Sequence, residues 1–480
     1  MINVNRLNIK IKAQPERVIP LFFTSNNKNR IDHIISKVLK VNDTKVKEML
    51  NQIFNDFDSR HFKFREILLS NFQKINQFVP SQLDFSDSRK MLLGAYFTKE
   101  YSIEAAALFN PSIVAHPNQS GLKEGELRFI MSLRATGEGH ISSIEFRTGI
   151  ISKNGNITID TLHPKLSGAN KTEDQKYSKD LIIKVSKFYT EFNPLVLEKL
   201  PNQFSKKEAL NIVSELINNS DANLTLTYEA LEEIFDTNYN IFFEKETPLN
   251  SCVIFPSSKA ESMGIEDVRF VKFEGNGKTK FIGTYTAYDG KNIQAKLIET
   301  EDFISFKIRS LYGNAIVDKG MALFPEKING KFAMIGRQGG ECITIMYSDN
   351  LYSWDTYKTI QKPEREWELI QLGNCGSPIK TSAGWLLLTH AVGPLRKYVI
   401  SATLLDLKNP EIVLASLNMP LISPNTNERE GYVPNVVYTC GFLQHVGNLV
   451  IPYAMSDSAS SFATVNTDDL LNELLKSKNL

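Results

Sequence analysis

Apolar positions recur at three- and four-residue spacing in two stretches of the chain and alternate with polar positions over most of the remainder. From about residue 27 to 78, Ile31, Ile34, Ile35, Val38 and Leu39 are followed by Val46, Met49, Leu50, Ile53 and Phe54. Lysines and aspartates fill the other face, a pattern that predicts amphipathic helices. A second helical stretch is predicted from about 178 to 235, through Leu181, Ile182, Val185 and Phe188 and then Ala209, Leu210, Ile212, Val213, Leu216 and Ile217. Pro194, Pro201 and the cluster Asn218-Asn219-Ser220-Asp221 mark its breaks.

Elsewhere, short apolar and aromatic strands alternate with polar turns, and five segments share the layout strand, polar loop, strand. The pairs are 127–134 with 141–146, 281–286 with 293–297, 332–337 with 343–347, 385–390 with 398–402, and 449–454 with 462–465. The last four recur every ~50 to ~65 residues, the spacing of propeller blades. The expected fold is therefore mainly β: a five-bladed β-propeller with N-terminal and inserted α-helical segments. A β-sandwich with hairpins of similar length is the alternative on pattern alone. The expected organisation is a helical extension over residues 1–85 and a propeller over 86–480, interrupted by a helical insertion at about 165–245.

Composition narrows the classes. A chain of 480 residues with 42% hydrophobic and 23% charged residues can bury a large core, which excludes disorder. Lys+Arg at 55 against Asp+Glu at 54 leaves a net charge of +1, without the footprint of a nucleic-acid binder. Cys252, Cys342, Cys375 and Cys440 are far apart and form no Cys-x-x-Cys pair, so reduced, buried thiols are expected. His116, His140 and His163 show no metal-ligand spacing, and no metal is expected. The N-terminus lacks a basic-then-apolar signal layout and no apolar run is long enough for a bilayer, so the expectation is a cytoplasmic protein without membrane contact.

Polar groups end or closely follow the first strand of each repeat: Arg134, Tyr285, Arg337, His390 and Asp457. Five such groups at equivalent places would converge on one polar ligand site. Glu266-Asp267 follows a glycine and starts an apolar strand. Adjacent carboxylates raise each other's pKa, and burial raises it further, as a general acid for glycosidic cleavage requires. An ion pair with Arg269 is an equally good reading of the same residues.

The run Gly264-Ile265-Glu266-Asp267-Val268-Arg269 resembles the Gly-x-Glu-Asp-x-Arg signature of glycoside hydrolase family 130, the β-mannoside phosphorylases and β-1,2-mannosidases. Further segments match in order: Asn110-Pro111-Ser112, Tyr285-Thr286-Ala287-Tyr288, Leu323-Phe324-Pro325-Glu326-Lys327-Ile328, Pro378-Ile379-Lys380-Thr381 with Gly384-Trp385-Leu386-Leu387, and Val433-Pro434-Asn435-Val436-Val437. The resemblance covers about residues 90–475 and implies a five-bladed propeller. It implies that Asp267 is the proton donor, acting in phosphorylases through a hydroxyl of the bound mannose. Asn110, Arg134 and Asp457 resemble positions that hold the mannosyl unit, with Glu266 and Tyr285 as further substrate contacts. Lys319, usually Arg in the family, Arg337 and His390 resemble the phosphate-binding positions. Gln371 stands near the place of a further family lysine. Lysine in place of arginine keeps the charge and loses the bidentate fork.

The implied partners are a β-mannoside oligosaccharide and inorganic phosphate as co-substrate, with no cofactor, no nucleic acid, and assembly into a homo-oligomer left open. The favoured reaction is phosphorolysis with inversion to α-mannose 1-phosphate, because phosphate needs cations to hold it and no base. Inverting hydrolysis needs a second carboxylate to activate water, for which Glu341 and Glu430 are the candidates. A non-catalytic sugar-binding propeller is the third reading. It predicts that Asp267→Asn leaves binding intact and that no mannoside is turned over.

Overall fold

The computed structural model describes residues 2–79, 85–217, 222–275 and 277–477. The chain is mainly β with a minority of helix. The break expected at Asn218–Asp221 lies outside the described residues.

Five antiparallel units, each built on one predicted hairpin, make up most of the β part, and the first two are joined into one sheet where Gly264 pairs with Ser142. The first contains strands Ala107–Ala115, Leu127–Thr136, Ser142–Ile151 and Ile157–Ile159. The second runs Gly264–Gly275, Lys278–Tyr288, Ile293–Thr300 and Ser305–Ser310, with Tyr239–Phe242 added outside. The third has Ala322–Leu323, Phe332–Gly336, Ile343–Ser348 and Lys358–Gln361. The fourth has Gln371–Asn374, Trp385–Val392, Tyr398–Leu405 and Val413–Ser416. The fifth has Val437–Tyr438, Asn448–Met455 and Ala459–Asn466, and its outer edge is completed by Val4–Arg6 and Ile11–Lys12 from the other end of the chain.

Each unit buries its faces against its neighbours. Phe146 and Ile130 of the first pack with Phe270 and Ile298 of the second. Ile282 and Leu297 meet Leu323 and Met334 of the third. Phe324 and Ile335 then meet Trp385 and Leu387 of the fourth, whose Leu386 and Leu388 meet Ile451 and Tyr453 of the fifth. Val450 and Phe462 of the fifth return to Phe129 and Met131 of the first. Alternation along each strand is what lets one sheet face two neighbours at once.

Apart from Thr467–Ser477, whose Leu470, Leu471 and Leu474 pack into the core between the fourth and fifth units, the described α-helices form two clusters with cores of their own. Lys28–Leu39, Asp43–Phe57 and Phe64–Ile75 are joined by Asp87–Tyr96, a helix that the periodicity did not reveal. Met91, Leu92 and Leu93 complete the core of Ile31, Ile35, Leu50 and Leu68. A Cβ on Gly94 would lie 1.9 Å from the Leu68 carbonyl oxygen, so only glycine allows these two helices to approach so closely. The inserted helices Lys179–Ser186, Pro194–Lys199, Lys206–Leu216 and Ala222–Thr237 share a second core around Val196, Phe204, Val213 and Ile234. Pro194 occupies the first turn of its helix, where a missing N–H costs nothing.

Candidate active site

The first strands of the first two units carry the same irregularity. In Ala107–Ala115 the register slips so that Asn110 and Pro111 stand opposite Leu133 alone. In Gly264–Gly275, Asp267 and Val268 stand opposite Tyr285 alone. Both are β-bulges, which re-aim a side chain out of the pleat. Asn110 (φ 49°) and Asp267 (φ 56°) lie in the left-handed region, where Asn and Asp are the most tolerated non-glycine residues. The two bulged residues meet, with Asn110 Nδ2 donating to Asp267 Oδ1 at 2.7 Å.

Arg134 joins them from the adjoining strand. Its Nη2 donates to Glu266 Oε1 at 2.6 Å, its Nη1 lies 3.6 Å from Asp267 Oδ1, and its Nε donates to Ser142 Oγ at 2.9 Å. Lys319 Nζ reaches Glu266 Oε2 at 3.4 Å. The partner of the acidic pair is thus Arg134, and Arg269 goes elsewhere. Its buried guanidinium spans three other units, donating to the Gly320 carbonyl at 2.9 Å, to Asn374 Oδ1, and to Tyr438 Oη at 2.5 Å. Arg269, Asn374 and Tyr438 are tie points whose role is set by which strands converge, and only the Arg269 position is marked in the sequence, by the acidic run.

Asn374 links this centre to His390. Its carbonyl faces His390 Nδ1 at 2.9 Å. A carbonyl only accepts, so Nδ1 carries the proton and Nε2 is bare. Arg337 Nη1 at 3.2 Å and Gln371 Nε2 at 3.1 Å both approach that bare nitrogen. Burial first, and then Arg337 and Arg269, push the His390 pKa well below its ordinary value. His390 is therefore neutral, an orienter of Arg337 rather than a third cation beside Arg337 and Lys319. Tyr285 points away from this cluster. It lies on the opposite face of its strand from Thr286, the partner of Glu266, and its hydroxyl donates to Glu261 Oε1 at 2.7 Å in a buried knot with Lys296.

The acidic groups differ in protonation. Burial raises Asp267, but Arg134, Lys319 and the Asn110 hydrogen bond outweigh it and hold the carboxyl below its ordinary value. The raised carboxyl expected at Asp267 is therefore not found in the free protein. Burial and then Asp267 push Asp457 up to about 6, against the pull of Arg134. A carboxyl that keeps its proton longer when folded destabilises the fold as pH rises from about 4 to about 6. The melting temperature of the wild type minus that of Asp457→Asn should fall across this window and level off above it. A difference flat with pH would contradict the burial of Asp457. Glu341 and Glu430 are both exposed. Among the described residues no group of His, Cys, Asp and Glu could hold a metal ion, and no helix is long and apolar enough to cross a membrane.

Bulge-presented Asn and Asp, a paired arginine and two further cations make an arrangement suited to a polar, hydroxyl-rich ligand beside an anion. A family model described as β-1,4-mannooligosaccharide phosphorylase matches residues 209–476, and the chain belongs to that family, glycoside hydrolase family 130. It is an enzyme of that family. A 1,2-β-oligomannan phosphorylase of Thermoanaerobacter sp. (strain X514) is 33% identical over 224 residues, 46% of this chain and 75% of that protein. A β-1,2-mannobiose phosphorylase of Listeria innocua is 29% identical over 231 residues, 46% of this chain and 63% of that protein. The solved structure of β-1,2-mannobiose phosphorylase from Listeria innocua with β-1,2-mannobiose aligns over 78% of this chain and 93% of that one, at 19% identity and a TM-score of 0.46.

Proposed function

We propose that this protein is an inverting β-mannoside phosphorylase, transferring a mannosyl unit to inorganic phosphate to give α-mannose 1-phosphate. The observation that carries this reading is the gathering of Lys319 and Arg337 with the Asp267 cluster, through Glu266 on one side and the Asn374–His390 link on the other. The two relatives named for β-1,2-linked mannans make β-1,2-mannobiose the first substrate to try. Five antiparallel units, each packed on the next, support a five-bladed propeller with its site where the first strands converge.

In this reading Asn110, Arg134 and Asp457 hold the mannosyl unit. Asn110 Oδ1 is buried without a protein partner and is free to accept from a sugar hydroxyl. Arg337 Nε is likewise unpartnered, a donor available to an anion. A phosphate oxygen bonds to the anomeric carbon as the glycosidic C–O bond breaks on the opposite face. The departing oxygen keeps the electron pair and takes a proton that originates on Asp267 and passes through a mannose hydroxyl. Asp267 is ionised in the free protein, so it must gain that proton as the complex forms. Phosphate beside Lys319 weakens one of the charges that hold its pKa down, and exclusion of water raises it further.

Arg337 and His390 depend on Gly373. A Cβ there would lie 2.5 Å from His390 Cε1 and 3.0 Å from Arg337 Cδ. Gly373→Ala should therefore raise the phosphate KM several-fold with little change in the mannoside KM. An unchanged phosphate KM would separate Arg337 from phosphate. Incubating the enzyme with β-1,2-mannobiose with and without phosphate tests the reaction class: sugar release should require phosphate, and equal release in both would point to water as the nucleophile.

A further inference from the structure

Two exposed aromatic rings, on loops held to residues of the site, have no role in the reaction described. Tyr432 is 65% exposed, and its ring centroid lies 5.9 Å from that of His140 with 32° between the planes. They come from different units: Tyr432 from the loop entering Val437–Tyr438, and His140 from the turn entering Ser142–Ile151. We propose that Tyr432 and His140 form an aromatic wall that receives a pyranose ring of the β-mannoside next to the mannosyl unit, the sugar that leaves. This deepens the reading under Proposed function and rests on it.

Both loops are fixed to residues of the site. Val433 N donates to the Ser456 carbonyl at 3.1 Å, and Gly431 is pressed so close that a Cβ would lie 2.3 Å from the same oxygen. Ser456 precedes Asp457, so the Tyr432 loop is seated on the turn that carries that carboxyl. Arg429 Nε closes the loop on Asn435 Oδ1 at 3.0 Å. On the other side, His140 (φ 62°) is two residues from Ser142, whose hydroxyl accepts from Arg134. Tyr101 Oη holds that turn by donating to the Glu138 carbonyl at 2.8 Å. The rings therefore stand on backbone anchored to residues that adjoin or bond to Arg134 and Asp457.

The chemistry fits a sugar. One face of a pyranose is a patch of polarised C–H groups, which the electron-rich face of an aromatic ring attracts. A ring covered by neighbours could not do this, and Tyr432 keeps most of its surface open.

The test compares phosphorolysis of β-1,2-mannobiose by wild type, Tyr432→Phe, Tyr432→Ala and His140→Ala. Tyr432→Ala should raise the sugar KM about five- to tenfold, with kcat and the phosphate KM nearly unchanged. His140→Ala should have a smaller effect in the same direction, and Tyr432→Phe should behave like wild type. An active wild type with an unchanged sugar KM in Tyr432→Ala overturns the subsite alone. A phosphate KM that rises in parallel also overturns it, since a general distortion of the site would do that. A wild type without phosphate-dependent turnover of any β-mannobiose overturns the reading on which the subsite rests, and the subsite with it.

Discussion

Asp267→Asn is expected to lower kcat for phosphorolysis by about 10²- to 10⁴-fold, the usual contribution of a positioned general acid. The change is nearly isosteric. Asn110 can still donate to the remaining side-chain oxygen, and the bulge that presents residue 267 tolerates asparagine as well as aspartate. What is lost is the group that can exchange a proton. Removing the charge also frees Arg134 from one of its two carboxylates, leaving Glu266 at 2.6 Å as the principal anchor. The measurement is kcat beside equilibrium binding of β-1,2-mannobiose. Binding within a few-fold of wild type with the large kcat loss is the expected pair of results. A kcat within tenfold of wild type would remove Asp267 from the proton-donor role.

The second large effect is on the co-substrate. Arg337→Ala should raise the phosphate KM by about 10- to 100-fold, the range expected from hydrogen bonds to a charged group worth about 1.5 to 3 kcal/mol. Arg337, unlike Arg134, pairs with no carboxylate of the cluster. Its contacts are to neutral His390, and its Nε has no partner. Lys319, by contrast, shares its charge with Glu266 and is 42% exposed, so Lys319→Ala should cost less. The β-mannobiose KM should stay within a few-fold of wild type in Arg337→Ala. A variant that loses sugar affinity and keeps phosphate affinity would place Arg337 on the wrong substrate.

Much of this arrangement could be read from the chain, and the parts that could not have physical reasons. The five hairpins were legible because each pairs two apolar strands long enough to show their pattern. The strands Val4–Arg6 and Ile11–Lys12 were not, because their pairing partner, Ala459–Asn466, lies at the other end of the chain and two or three residues carry no period. The helix Asp87–Tyr96 was hidden because its buried residues are mainly the run Met91, Leu92, Leu93 and Gly94 rather than a spaced stripe. Within the site, the Glu-Asp pair announced itself, but the bulge that aims Asp267 is a property of register with the neighbouring strand. Tyr285 shows the same limit: one residue of slip along a strand decides which face a side chain joins. For His390 the residue type suggested a cation, whereas burial and two arginines set its charge to zero.

The most direct test of the central claim is a phosphorus NMR time course of the wild-type enzyme with β-1,2-mannobiose and inorganic phosphate. α-Mannose 1-phosphate should accumulate, one molecule for each mannose released, and omitting phosphate should stop the release. Mannose appearing at the same rate without phosphate, or a sugar phosphate of β configuration, would contradict the claim.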